Sequence, residues 1–200
     1  MNALSETLAA KRDHLLRTIE QYGSCAVAFS GGVDSAVVAK AAKLTLGDAA
    51  VVVTGESDSL ADGELEQARE LAKLIGVRHV VVKTDELSDP GYAANGPNRC
   101  YHCKTELYEK LRDVAERLGV TVLVNGANVD DLGDYRPGMK AASERKVHSP
   151  LAECGLTKQE VRQLAAAWKL PVADKPAWVR SVHWPVLKGK SYVMPTAARC

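Results

Sequence analysis

The sequence lacks an excess of charge of either sign. Its 200 residues include 26 Lys and Arg and 25 Asp and Glu, which gives a formal net charge of +1. Proteins that hold nucleic acids or membrane surfaces by bulk electrostatics carry a strong positive excess. We therefore expect no nucleic acid and no membrane among the partners of this chain.

Long apolar runs and a cysteine framework are also missing. No run approaches the roughly 18 apolar residues that a membrane-spanning helix needs. The amphipathic start, MNALSETLAAKRDHLL, contains acidic residues, unlike a secretory signal. The cysteines are odd in number and scattered: Cys25, Cys100, Cys103, Cys154 and Cys200. This pattern does not predict a disulfide scaffold, and a cytoplasmic location is the simplest interpretation.

The sequence does contain an alternation of short apolar runs and amphipathic stretches. The pattern predicts strands at residues 25–29, 49–54, 79–83 and 121–124, and helices at 34–46, 64–75, 104–118 and 157–168. Thr157 and Glu160 predict a capping box at the start of the last helix. The apolar runs are continuous, as in strands that are covered on both faces. We therefore predict an α/β fold, a parallel sheet with helices on both faces in a Rossmann-like three-layer sandwich. Ligands of such folds bind beyond the carboxyl ends of the strands. Those ends lie at Ser30, Thr54, Lys83 and Asn125.

The turn between the first predicted strand and helix, SGGVDS, carries few large side chains. Gly31 and Gly32 let an anion approach the backbone amides at the helix start, and Ser30 and Ser35 add hydroxyl donors. The Asp34 carboxylate suits a phosphate site only if a cation such as Mg²⁺ lies between it and the phosphate. The alternative is that Asp34 caps the helix. The motif is neither a Walker A loop nor a GxGxxG turn. We favour phosphate binding over the alternative, a side-chain-capped helix after a glycine turn.

A CxxC pair lies in NRCYHCK, residues 98–104, just before a predicted helix. Redox-active thiols or half a zinc site fit this spacing, although a full zinc site needs two more ligands. Two packed thiols near a helix start fit it equally well.

Two later stretches carry polar side chains that suit a ligand site. VNGANVDD ends the fourth predicted strand, where Asn125, Gly126 and Asp130 face a nucleotide or simply form an Asx-rich turn. DYRPG follows and contains Arg136, which is either a phosphate ligand or a surface charge.

In this order and spacing, the motifs resemble those of a known superfamily. FSGGVDS after a buried strand is similar to the SGGxDS signature of the PP-loop ATP pyrophosphatases, which have the adenine nucleotide alpha hydrolase-like fold. NRCYHCK and NVDDLGDYRPG beside it resemble the LarE-like ATP-dependent sacrificial sulfur transferases, over residues 27–176.

The resemblance implies ATP and Mg²⁺ as cofactors. The turn would hold the β,γ-pyrophosphate with Mg²⁺, a carboxylate would be adenylated, and a nucleophile would then displace AMP. The implied catalytic residues are Asp34 and Ser35, and Asp34 is also the implied metal ligand. The implied cofactor-binding residues are Ser30, Gly31, Gly32, Asp34, Ser35, Thr54, Asn125, Gly126, Asp130 and Arg136.

The resemblance also implies a small-molecule nucleotide substrate, a pyridinium mononucleotide that receives sulfur in the biosynthesis of a nickel-pincer cofactor, and a homo-oligomer is compatible with it. Two alternatives stay open. One is another AMP-forming PP-loop enzyme, such as an NAD or GMP synthetase-like amidating enzyme or a tRNA thiolation enzyme. The other is a nucleotide-binding remnant without sulfur transfer.

The resemblance stops near residue 176. We expect a PP-loop domain at residues 1–176 and a divergent tail at 177–200 that need not be ordered, with the family's C-terminal segment missing. The donor cysteine of the LarE-like proteins lies at or close to the position of Arg180, and here the next cysteine is Cys200. The sequence therefore leaves the sulfur source open.

Overall fold

Strands and helices alternate along the chain. The computed structural model describes residues 4–57, 63–93, 98–133 and 137–174, so that Arg136 and the tail predicted at 177–200 lie outside the described residues. The strands are β1 (Cys25–Ala28), β2 (Ala50–Glu56), β3 (Arg78–Lys83) and β4 (Val122–Val124). The helices are α1 (Glu6–Glu20), α2 (Val33–Leu46), α3 (Glu64–Ile75), α4 (Pro90–Ala93), α5 (Arg99–Leu118), α6 (Pro137–Glu144), α7 (Pro150–Glu153) and α8 (Lys158–Ala167).

The four strands form one parallel sheet in the order β3-β2-β1-β4. Val27 of β1 lies in register with Val52 of β2 and Val124 of β4. The chain builds the sheet outward from β1 to β3 and then crosses to the other side of β1 for β4. The order therefore reverses between β1 and β4, and open α/β sheets bind ligands at such a switch point. The predicted α/β fold is confirmed.

Helices cover both faces of the sheet. Successive side chains of a strand point to opposite faces. Val27 accordingly packs with apolar residues of α1, α2, α3 and α8, whereas Ala26 packs with residues of α5 and α6. Both are fully buried. Of the helices in the described ranges, none is long and apolar enough to cross a membrane.

One predicted helix begins earlier than expected. The helix predicted at residues 104–118 starts at Arg99, so the CxxC pair lies inside the first turns of α5 and not before it. The buried residues of α5 begin only at Tyr108. Its first turns therefore lack the apolar spacing on which the prediction depended.

The capping box predicted at the start of α8 is confirmed. The backbone N–H of Glu160 donates to Thr157 Oγ1 at 3.3 Å, and the N–H of Thr157 donates to the Glu160 carboxylate at 2.9 Å. Lys11 of α1 also donates to both Glu160 oxygens, at 2.7 and 2.8 Å. Burial raises the pKa of Glu160, but the hydrogen bonds from Lys11 and Thr157 outweigh it, so the pKa lies below its ordinary value.

Replacing Glu160 by Gln should therefore reduce stability in a pH-dependent way. Gln keeps a capping box but removes the charge that pairs with Lys11, so we expect the free energy of unfolding at pH 7 to fall by about 1 kcal/mol. Because folding lowers the pKa, this stabilisation is complete above the unfolded value of about 4.3 and is lost as the pH falls through the folded value. Urea denaturation of both proteins at pH 7 and at pH 3 measures it. An equal difference at both pH values would contradict the assignment.

Candidate active site

The turn after β1 brings bare backbone to the carboxyl edge of the sheet. The N–H of Phe29 donates to Val53 O at 2.8 Å and fixes where the turn begins. Gly31 has a φ of +72° and lies against α3, where an added Cβ would come within 3.3 Å of Ala68 Cα. Both the backbone conformation and the space at this position therefore require glycine.

The first turn of α2 has no side-chain cap. Its N-cap residue is Gly32, which has no side chain to cap the helix, so the alternative of a side-chain-capped helix is wrong. The N–H of Gly32 donates instead to Ser30 Oγ at 3.3 Å, and Ser30 is exposed. Uncapped amides at a helix N-terminus form a site for an anion, with the partial positive charge of the helix dipole behind them.

Ser35 stabilises this turn through hydrogen bonds to its backbone. Its side chain is buried, donates to Gly32 O at 3.1 Å and accepts from the N–H of Ser30 at 3.3 Å. The two serine hydroxyl oxygens are 3.4 Å apart. Ser30 is therefore the hydroxyl that faces solvent, and Ser35 sets the shape of the turn.

The turn after β4 packs directly against the start of α2. A Cβ added at Gly126 would come within 2.8 Å of Ser35 N and 3.0 Å of Asp34 C, closer than real Cβ atoms approach backbone. The two turns that flank the switch point are therefore in contact, and Gly126 permits that contact.

The carboxylate of Asp34 joins three elements. Asn128, which is buried, donates to Oδ1 at 3.2 Å, and the Lys158 ammonium at the start of α8 forms an ion pair with Oδ2. Asp130 in turn accepts from the backbone N–H of Lys158 at 2.8 Å. The side chain of Asp34 is 23% exposed, so it is reachable from solvent.

Two of the predicted site residues act inside the protein. Thr54 Oγ1 is buried, donates to Phe29 O at 2.7 Å and lies 2.8 Å from His79 Nε2. Asn125 is also buried. Its amide donates to Tyr108 Oη at 3.3 Å, and its oxygen accepts from Ala127 N and Ser149 Oγ, each at 2.9 Å. Both side chains support the turns that the sequence assigned to nucleotide binding. Arg136 lies outside the described residues.

Sequence analysis missed two residues of this site, Asn128 and Lys158. Asn128 lies in VNGANVDD, the stretch at the end of the fourth predicted strand, but the sequence analysis assigned only Asn125, Gly126 and Asp130 of this stretch to the site. Lys158 follows the predicted cap Thr157, and no local pattern links it to Asp34, 124 residues away. The packing of α8 against α2 makes that link.

The CxxC region lies in the first turns of α5. Cys103 is a free, half-buried thiol. Within the described ranges, no group of three or more His, Cys, Asp or Glu side chains is arranged to hold a metal ion. The described residues therefore give no support to a zinc site here.

Comparisons with known proteins agree with this geometry. The family described as Queuosine biosynthesis protein QueC matches residues 24–105. An uncharacterized Synechocystis protein, slr1717, is 46% identical over 85% of this chain and 63% of its own length. The pyridinium-3,5-bisthiocarboxylic acid mononucleotide synthase of Lactiplantibacillus plantarum is 37% identical over 80% of this chain and 58% of its own. The chain thus spans about three fifths of the length of these curated relatives.

Solved structures agree on the fold. An NH3-dependent NAD synthetase from Campylobacter jejuni superposes with a TM-score of 0.65 at 18% identity, over 83% of this chain and 73% of that one. The uncapped turn at the switch point agrees with the sequence relatives and with this shared fold. The chain resembles the PP-loop ATP pyrophosphatases and, among them, the LarE-like proteins.

Proposed function

We propose that this protein is an enzyme that cleaves ATP to AMP and pyrophosphate in order to adenylate a carboxylate, and that sulfur is then transferred to the acyl group. The observation that carries the proposal is the contact between the turns after β1 and β4, with Asp34 at their junction. The substrate class comes from the 37% identical synthase of a pyridinium-3,5-bisthiocarboxylic acid mononucleotide. The proposed substrate is therefore a pyridinium dicarboxylate mononucleotide, on the route to a nickel-pincer cofactor.

The turn supplies the charge complementarity that phosphates need. The amides of Gly31 and Gly32 and the hydroxyl of Ser30 are assigned to the β- and γ-phosphates, which would replace Ser30 as the acceptor for Gly32 N–H. A substrate carboxylate oxygen forms a bond to the α-phosphorus as the bond to the α,β-bridging oxygen breaks. Pyrophosphate then leaves with the electron pair. Fixed donors that meet the developing charge lower this barrier.

The residues around Asp34 suit Mg²⁺. Magnesium is usually held by one or two carboxylates together with phosphate oxygens and water, and Asp34 is a reachable carboxylate at the end of the turn. When bound, Mg²⁺ would neutralise phosphate charge. Lys158, whose ammonium now pairs with Asp34, is assigned to hold a phosphate oxygen once that carboxylate has another partner.

A single incubation tests the proposed function. The protein is mixed with Mg-ATP and the pyridinium dicarboxylate mononucleotide, and pyrophosphate, AMP and the acyl product are measured by mass spectrometry. We expect pyrophosphate release that depends on the carboxylate. Tight ATP binding without pyrophosphate would instead indicate a binding module, and release that requires transfer RNA or ammonia would indicate a different PP-loop activity.

Replacing Lys158 by Met should weaken ATP binding. Removal of one charge-assisted contact to phosphate is expected to raise the KM for ATP about tenfold with a smaller change in kcat. Lys73→Met, at an exposed position of α3, is the matched control. Equal KM values for the two variants would show that Lys158 does not contact ATP.

A further inference from the structure

His102, in the first turns of α5, is held by a carboxylate. Its Nδ1 lies 2.9 Å from Asp89 Oδ2, and the other oxygen of Asp89 accepts from the backbone N–H of Gly91 at 2.7 Å. The same carboxylate therefore begins α4 and ties it to α5.

The ionisation of Asp89 decides which ring nitrogen of His102 carries the proton. The hydrogen bond from the Gly91 backbone is the main reason that the pKa of Asp89 lies below its ordinary value. An ionised carboxylate only accepts hydrogen bonds, so Nδ1 must be the donor. In the neutral ring, Nε2 then carries a free lone pair. Within the described residues Nε2 has no hydrogen-bond partner and is not a buried atom, and the side chain is 31% exposed.

The imidazole occupies a space that a glycine leaves open. A Cβ added at Gly91 would come within 2.2 Å of His102 Cε1 and 2.4 Å of Nε2. The ring also contacts Tyr101 edge-on, with centroids 5.7 Å apart. Asp89 at Nδ1 and Gly91 beside Cε1 and Nε2 hold the ring in place, as is typical of an oriented proton acceptor.

The topology places this pair at the ligand-binding edge of the sheet. α5 connects β3 to β4 in a parallel sheet, so it begins at the carboxyl edge and ends at the opposite one. Contacts agree, because Glu106 accepts from the N–H of Asp85, just after β3, and Leu107 lies beside Gly55 at the end of β2. His102 lies one turn closer to the start of the helix than Glu106.

We propose that His102 Nε2 is the proton acceptor for a thiol that attacks the acyl adenylate, and that Asp89 is the positioning residue for it. The inference rests on the proposed function. The thiol sulfur forms a bond to the carbonyl carbon, the bond from that carbon to the AMP phosphate oxygen breaks, and AMP leaves as an anion. The thiol proton moves to Nε2. Adenylation itself needs no proton acceptor, because its nucleophile is already a carboxylate.

The test separates the two half-reactions. N-acetylcysteine serves as the thiol probe, because its amine is blocked, so that its thioester cannot rearrange to an amide, and its thiol stays mostly protonated at pH 7. Hydroxylamine serves as the second probe, because it attacks acyl adenylates as an uncharged nucleophile. Pyrophosphate, hydroxamate and thioester are measured for the wild type, for His102→Asn, which keeps a donor to Asp89 but has no atom at the Nε2 position, and for His102→Ala with and without added imidazole.

We expect both variants to keep pyrophosphate release and hydroxamate formation within about twofold of wild type and to lose about 100-fold in thioester formation. Imidazole should restore part of the thioester rate of His102→Ala. Normal thioester formation by His102→Asn would overturn the proposal, as would a parallel loss of both half-reactions in a variant that keeps the wild-type Tm. If the wild type itself forms neither pyrophosphate nor hydroxamate, the proposed function fails and this inference fails with it.

Discussion

Asp34→Ala is expected to lower the rate of pyrophosphate release about 10³-fold while the protein stays folded. Asp34 supplies a carboxylate at the switch point that suits Mg²⁺, and loss of metal-assisted charge neutralisation is worth several kcal/mol in the transition state. The effect on stability should be small. The ion pair with Lys158 is partly exposed, with side-chain exposures of 23% and 31%, and such pairs contribute about 1 kcal/mol or less.

The matched control for this variant is Asp48→Ala. Asp48 also pairs with a lysine, since its Oδ1 lies 2.8 Å from Nζ of Lys43 in the last turn of α2, but it is fully exposed beyond the end of that helix. Steady-state pyrophosphate release and thermal unfolding are measured for both variants. Comparable activities for the two would show that Asp34 has no part in the chemistry. A large fall in the Tm of Asp34→Ala would show a structural role.

Gly126→Val is expected to weaken ATP binding and to destabilise the protein. The new Cβ would meet Ser35 N at 2.8 Å and Ser35 Cα at 3.1 Å, and these backbone atoms cannot rotate away as a side chain can. Either the turn after β4 or the start of α2 must move, so we expect ATP affinity to fall at least 100-fold, about 3 kcal/mol. Overpacking of this kind costs about 1–3 kcal/mol of stability.

Gly133→Ala provides the comparison for Gly126→Val. Gly133 lies in the same connection, is exposed, and has no atom within 4 Å of an added Cβ. Isothermal titration with Mg-ATP and the Tm of each variant distinguish the two positions. Tight ATP binding by Gly126→Val would mean that the contact between the two turns is not part of the nucleotide site.

The fold was predictable because its signals are local. Continuous apolar runs such as residues 25–29 and 49–54 predict buried parallel strands, and the capping box at Thr157 is a pattern of four residues. SGGVDS likewise marks its own turn. In each case the residues that determine the local structure are neighbours in the sequence.

The remainder of the site depends on contacts between distant segments. Lys158 reaches Asp34 only because α8 packs on α2, and Gly126 is required only because the turn after β4 lies against Ser35. Asn125 follows the end of β4 as predicted, whereas β2 continues past Thr54 to Glu56. Hydrogen-bond partners turn the polar atoms of both side chains inward. Sequence reasoning can place a residue at the edge of the sheet, but it cannot show which way the side chain turns.

The most direct test of the central claim is a crystal structure with Mg²⁺ and an ATP analogue that carries an uncleavable α,β-methylene bridge. We expect β- and γ-phosphate oxygens about 3 Å from the backbone nitrogens of Gly31 and Gly32, with Ser30 Oγ displaced from Gly32 N–H and the metal ion on Asp34. Phosphates bound at another edge of the sheet, with the Ser30 to Gly32 hydrogen bond still in place, would contradict it.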